Sequence, residues 1–417
     1  MENSINNEVS MYFYELFTHN YARCLNFGDN VMLNKRSSVC ICMLGHKRIP
    51  SREGGVELVV EELATRMVKK GFSVTCFNRK GHHVSGNSFD NNEVYTHEYK
   101  GIKIKTVFAI DFKGLAAITS SFFGSVKAAV GSYDFIHYHA EGPCLFMWIP
   151  KLFGKKCVAT IHGLDHQRAK WGRLARFCIL LGEKVAAKYA DEIIVLSNSA
   201  RDYFKETYNR DTVVIPNGVN SVEVIPANII QTKFNLEKDS YILFLGRIVP
   251  EKGISYLLDA FSKVQTQKKL VIAGGSSDSE DFFNSVKNRG ASDKRIIFTG
   301  FVQGQELSEL YSNAYLYVLP SDLEGMPLSL LEAMSYGNCC LTSDIAECTE
   351  VTEDKAFYFK KSNVQDLQDK LQYLCDHKEV VLNYKKNASE FICNKYNWDF
   401  ITKETIRLYK KVLNSNL

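Results

Sequence analysis

Six side chains in this sequence have the types and spacing to act on a charged, hydroxyl-rich ligand: Arg247, Lys252, Glu324, Glu332, His139 and His162. Glu324 and Glu332 frame the stretch Pro320-Ser321-Asp322-Leu323-Glu324-Gly325-Met326-Pro327-Leu328, which runs on into a helical pattern. Carboxylates do not hold phosphate, so their natural partners are hydroxyl groups. Arg247 and Lys252 flank a second loop, where an arginine fork and a lysine point charge both suit phosphate. His139 and His162 each end or follow an apolar run, and imidazole can hold or move a proton near neutral pH. A nucleotide sugar carries both phosphate and many hydroxyls and fits this set. Solvated surface acids and lysines around an ordinary α/β crossover, with structural histidines, fit the same spacing.

The elements that must position these residues alternate strand and helix. Buried-strand runs are expected at 38–45, 73–77, 102–107, 135–139, 157–161 and 193–197, with 213–219 closing the half. Helices are expected over 56–70, 114–130, 143–152 and 167–189 and from Ser199. The loop Gly45 to Gly55 follows the first strand and ends in Gly54-Gly55. It lacks G-x-G-x-x-G, so it is no dinucleotide fingerprint. A second series has strands at 241–247, 270–275, 295–300 and 315–319. Its helices are expected over 254–264 and 328–336, the latter with Pro327 in its first turn and Gly337 ending it. Only helices are expected after that, the last over 396–413. The fold class is α/β, two doubly wound Rossmann-like domains whose strand-end loops face each other across a cleft.

The expected organisation is an extension over 1–37 with one short helix near Met11 to Phe17, a first domain over 38–218 and a second over 219–395. A final helix occupies 396–417. The chain's 417 residues suit two domains, and a net charge of +4 is too small to imply nucleic-acid binding. Between Pro150 and Ala190, however, nine Lys or Arg face two acids, Asp165 and Glu183. Such a face suits anionic lipid or a phosphate-bearing ligand, or is merely a solvated helix side. Twelve cysteines without zinc-type spacing read as reduced core thiols. Residues 1–30 lack an apolar signal core, and no run reaches the 18 to 20 apolar residues of a membrane helix. A cytoplasmic protein is expected, with a peripheral place on the membrane's cytoplasmic face as the further option.

With these residues in hand, the sequence resembles the retaining, family-four glycosyltransferases of the GT-B fold. The resemblance rests on Gly54-Gly55, His162-Gly163-Leu164-Asp165, Gly246-Arg247 with Glu251-Lys252-Gly253, and Glu324 with Glu332, in the family's order over roughly residues 38–413. Asn217-Gly218 matches at the hinge. The stretches 49–55 and 162–171 are similar to bacterial capsule, O-antigen and exopolysaccharide assembly enzymes. The resemblance implies a hexosyltransferase-type enzyme that moves sugar from a nucleotide diphosphate donor to a glycan or polyprenyl-diphosphate-linked acceptor, with retention and without a metal or other cofactor. Arg247 and Lys252 would neutralise the diphosphate, Glu332 would hold the ribose and Glu324 the donor sugar. Gly325, Met326, Pro327 and Leu328 would offer backbone N–H groups to sugar and phosphate. His162 would lie beside the transferring sugar, Gly54 and Gly55 would let their loop approach, and Asp165 and His139 would serve the acceptor side. The last helix would cross back to the first domain. Two departures stand out: the extension has no counterpart, and His166 replaces a frequent tryptophan. A nucleotide-sugar epimerase of this fold and a catalytically silent carbohydrate-binding protein are the rival readings.

Overall fold

The computed structural model describes residues 38–414 except 53, 82–96, 111, 113, 169–170 and 277–279. The helix expected near Met11 lies outside the described residues. Among the described residues, fourteen strands form two sheets. The first contains β1 (Cys40–Leu44), β2 (Ser73–Arg79), β3 (Glu98–Tyr99), β4 (Ile102–Val107), β5 (Phe135–His139), β6 (Lys156–Ile161), β7 (Glu192–Val195) and β8 (Val213–Val214). The second contains β9 (Tyr241–Leu245), β10 (Lys269–Ala273), β11 (Ile296–Gly300), β12 (Leu316–Leu319), β13 (Cys340–Ser343) and β14 (Phe357–Phe359). Their orders are β3-β4-β2-β1-β5-β6-β7-β8 and β11-β10-β9-β12-β13-β14. All pairings are parallel except β3 with β4.

Parallel sheets covered on both faces need continuous apolar strands, and Tyr241-Ile242-Leu243-Phe244 is wholly buried. Among the helices, α1 (Gly55–Lys69), α2 (Leu115–Val130), α3 (Trp148–Leu152), α4 (Arg173–Tyr189), α5 (Leu328–Ser335) and α6 (Trp398–Asn414) carry or flank the site. One core surrounds the second sheet and two lie on the faces of the first. The last helix belongs to the first half: Trp398, Ile401, Leu408 and Tyr409 of α6 join the core of β1, β2 and α1. The chain's two passages between the halves lie side by side. Val219 bridges Asn397, and its N–H donates to the Tyr396 carbonyl at 2.7 Å.

Two expectations are corrected. The chain does not turn purely helical after α5, because β13 and β14 extend the second sheet. These strands are four and three residues long, and Cys339-Cys340-Leu341-Thr342 offers neither alternation nor a β-branched run. The helix expected over 167–189 begins only at Arg173, with Gly172 as its N-cap, and Asp165–Gln167 form a separate 3₁₀ turn.

Candidate active site

The second half presents two loops at adjacent strand ends. After β9 the chain makes a 3₁₀ turn, Pro250–Lys252, and leaves it through Gly253 at φ 68°. Only glycine fits there: an added Cβ would lie 1.9 Å from the Pro320 carbonyl oxygen. The Glu251 carbonyl accepts from Asp322 N–H at 2.8 Å, so this loop and the one after β12 are bound together. The junction brings the Lys252 ammonium to 2.5 Å from Glu324 Oε1, with both side chains about nine-tenths buried. Burial pushes the Glu324 carboxyl up, but Lys252 and the more distant Arg168 outweigh it and hold it below its ordinary value. Glu324 is therefore ionised at neutral pH.

Eight residues on, Glu332 projects from α5 and accepts from the Tyr311 hydroxyl at 3.1 Å. Burial raises its carboxyl, against the hydrogen bond from Tyr311 and the charge of Arg52. Arg247 stands half-buried two residues beyond β9 and pairs with no carboxylate among the described residues. Pro327 is the N-cap of α5 rather than its first residue, and Leu330 and Leu331 N–H both return to its carbonyl. The helix ends at Ser335, just before Gly337.

The first half meets these loops backbone to backbone. An ideal Cβ on Gly325 would fall 1.7 Å from the His162 carbonyl oxygen and 2.9 Å from Gly163 Cα. Gly163 itself, at φ 146°, would place a Cβ 2.8 Å from Gly325 Cα. Near them, the Met326 sulfur accepts from Asn217 N–H at 3.0 Å, and a Cβ on Gly55 would lie 3.1 Å from Leu328 Cδ1. Gly54 is the N-cap of α1. Its loop is tied down by Asn78, which exchanges hydrogen bonds with the Ile49 N–H and carbonyl. Thus Gly54, Gly55, His162, Gly325, Met326 and Leu328 gather where the halves touch.

Three imidazoles are stacked at the ends of β5 and β6. His137 and His139 rings lie 4.2 Å apart, and His139 Nδ1 meets His162 Nε2 at 3.1 Å. Tyr409 of α6 hydrogen-bonds His137 Nδ1 at 2.5 Å, and Thr160 meets its Nε2 at 2.7 Å. Burial lowers all three histidines, His137 to about 3 and His162 to about 4, so the stack is neutral at physiological pH. His139 was expected on the acceptor side, but it is wholly buried and bonded to His162, so it offers no surface to an acceptor. His162 is part-exposed at the stack's end.

Asp165 accepts from Arg168 Nε at 2.6 Å, and its own N–H donates to the buried Glu141 at 3.0 Å. Burial pulls the Arg168 guanidinium down, but Asp165 and Glu324 outweigh it and raise it overall. Arg168 is thus a third cation of the cleft, supplied by the first half. In the sequence it is one of the basic residues of 150–190, and its i,i+3 spacing from Asp165 is the signal that marks the pair. Tyr311, which orients Glu332, had no sequence signal. His166 meets Glu183 Oε2 at 3.1 Å, and Tyr203 and Tyr208 donate to the other oxygen of that buried carboxylate.

Two facing doubly wound sheets with their strand-end loops in contact define the GT-B class of fold. Residues 53–223 match the model of Glycosyltransferase Family 4, and residues 227–391 match that of Glycosyl transferases group 1. The chain therefore belongs to the GT-B glycosyltransferases, with a family 4 first half and a group 1 second half. It is similar to the N,N'-diacetylbacillosaminyl-diphospho-undecaprenol alpha-1,3-N-acetylgalactosaminyltransferase of Campylobacter jejuni, 26% identical over 58% of this chain and 65% of that one. The chain spans only 60% and 65% of the length of two curated relatives it matches. Among solved structures, a sucrose-phosphate synthase of Thermosynechococcus elongatus superposes with a TM-score of 0.77 at 21% identity, covering 90% of this chain and 99% of that one. Anabaena HepE in complex with UDP and glucose superposes with a TM-score of 0.73 at 16% identity, covering 89% of this chain and 100% of that one.

Proposed function

We propose that this protein transfers a hexose from a nucleoside diphosphate donor to a lipid-linked saccharide, with retention of configuration and without a metal. The observation that carries the reading is the Lys252–Glu324 pair, buried where Gly325 meets Gly163 and within the field of Arg168. This is a place where fixed cations and an ionised acid from both halves converge out of water.

Breaking the bond between the anomeric carbon and the phosphate oxygen builds positive charge on the sugar and negative charge on the diphosphate. Arg247 and Lys252 take up the latter, filling the part a divalent cation plays elsewhere. Donor phosphate competes with Glu324 for Lys252 and frees that carboxylate for the sugar hydroxyls. Glu332, held by Tyr311, reads the ribose hydroxyls. Leu328 and the residues before it present backbone N–H groups. The acceptor hydroxyl forms its new bond to the anomeric carbon on the face the phosphate leaves, and its proton passes to a leaving phosphate oxygen. Neutral His162 lies beside the sugar as a hydrogen-bonding group and adds no charge there. The lipid-linked acceptor is suggested by the Campylobacter relative, whose name specifies a diphospho-undecaprenol substrate. A uridine donor is suggested by the UDP bound in HepE. The protein would work as a peripheral protein at the cytoplasmic membrane face; among the described residues no helix is long and apolar enough to cross a membrane.

A thermal-shift screen against nucleotide sugars tests the donor assignment, since a ligand of the native state raises the melting point. Stabilisation by at least one nucleotide sugar, lost in Lys252→Ala, is expected. Product formation from donor alone would point to epimerisation instead. No stabilisation by any member of the panel would remove the proposal.

A further inference from the structure

Of the 17 large apolar side chains exposed among the described residues, ten fall between Phe112 and Leu181. Eight project from three helices on one face of the first half, and Phe112 and Phe153 adjoin two of these helices. Leu115 and Ile118 stand on α2, Leu152 and Phe153 at the end of α3, and Leu174 and Phe177 on α4. These helices are neighbours: α3 packs against both α2 and α4, and Phe122 of α2 meets Phe146, just before α3, edge to face at 5.5 Å. Leu152 and Leu174 are about three-quarters exposed, which no ordinary packing requirement explains.

The charge on the same face has one sign. Arg173, Arg176, Lys184 and Lys188 of α4 are exposed, whereas the only acid on the three helices, Glu183, is buried under Tyr203, Tyr208 and His166. The face is also placed to serve the cleft. α2 follows the carboxyl end of β4 and α4 that of β6, and Leu174 and Phe177 come within ten residues of Arg168 in the site loop.

We infer that α2, α3 and α4 form a membrane-docking face, on which the apolar side chains enter the interfacial layer of an anionic bilayer while the α4 cations contact its phosphates. Exposed apolar groups rimmed by cations alone match that surface. This deepens the proposed transfer reading and rests on it for the lipid anchor of the acceptor, which could then stay in the bilayer while its saccharide reaches His162 and Glu324.

Flotation of the full chain with phosphatidylcholine vesicles, with and without phosphatidylglycerol, tests it. The protein should float only with the anionic vesicles and should detach as salt rises. The double variant Leu174→Ser/Phe177→Ser should lose roughly 100-fold in partitioning, with Leu152→Ser/Phe153→Ser behaving alike and both melting like the parent. Transfer to a vesicle-embedded acceptor should fall in step, while transfer to a short-chain, water-soluble acceptor stays at the parental rate. Failure of the parent to float, equal flotation of the variants, or a parental dimer that the variants dissociate without any vesicle binding would each overturn the docking face. A parent that floats on anionic vesicles yet transfers no sugar would leave the face standing and sink the transfer reading alone.

Discussion

Gly325→Ala isolates the contact between the two halves. Gly325 is not among the residues with positive φ, so alanine meets no backbone penalty there and the effect comes from space alone. The new Cβ would lie 1.7 Å from the His162 carbonyl oxygen, and real Cβ contacts essentially never fall under 3.0 Å. The loops must therefore part by at least 3.0 − 1.7 = 1.3 Å, and because the obstacle is backbone, no rotamer change can relieve it. A displacement of that size between reacting groups lowers a rate by about 100-fold, or about 2.7 kcal/mol in activation free energy. Lys252, Glu324 and Glu332 all belong to the second half, so donor affinity should change by less than about threefold, on the order of 0.6 kcal/mol. Steady-state kcat measured beside calorimetric donor affinity separates the two effects. A variant with parental kcat would show that the approach of Gly163 to Gly325 has no part in turnover. Equal losses in kcat and affinity would place the contact in donor binding.

Lys252→Ala removes the cation assigned to the diphosphate and leaves Glu324 buried without its partner; calorimetry should find donor binding weakened by about 2 to 3 kcal/mol. Arg168→Lys keeps a charge but loses the fork on Asp165, and kcat should fall roughly tenfold with little change in donor affinity; parental kinetics would return Arg168 to a structural role. Trp398→Ala should destabilise the fold by about 3 to 5 kcal/mol in urea unfolding, because the ring is 3% exposed in the core of the first half. For pH, His46 and His162 are lowered to about 4 and His137 to about 3, all chiefly by burial. Their folded values lie below the unfolded one, so the unfolded chain binds the extra protons. Stability is full above about pH 6.5 and is lost as pH falls toward 4, by about 2 kcal/mol per group at pH 5. A urea midpoint that holds steady or rises between pH 7 and pH 5 would contradict this.

The fold was legible wherever a strand was long and wholly apolar. Tyr241 to Leu245 announced itself, and the glycine after it marked the loop. The strands at Cys340 and Phe357 were hidden because the last two positions of the sheet need only four and three residues of unremarkable type. At the site, Lys252 and Glu324 could be named from loop position, though not their mutual contact, which depends on Gly253 clearing the Pro320 carbonyl. Partners that arrive from distant elements were out of reach: Tyr311 is 21 residues from Glu332, and Tyr409 is 272 residues from His137. His139 shows the opposite failure, since a strand-end position suggested access that the stacked rings deny.

The placement of α6 has a bearing on how the chain is made. Trp398, Ile401, Leu408 and Tyr409 complete the first half's interior, yet they are synthesised after the whole second half. On the ribosome, where domains ordinarily mature in order of emergence, the amino-terminal half must wait with the faces of β1 and α1 uncovered until α6 has followed the second half out. The second half, closed by its own helices, is free to finish first.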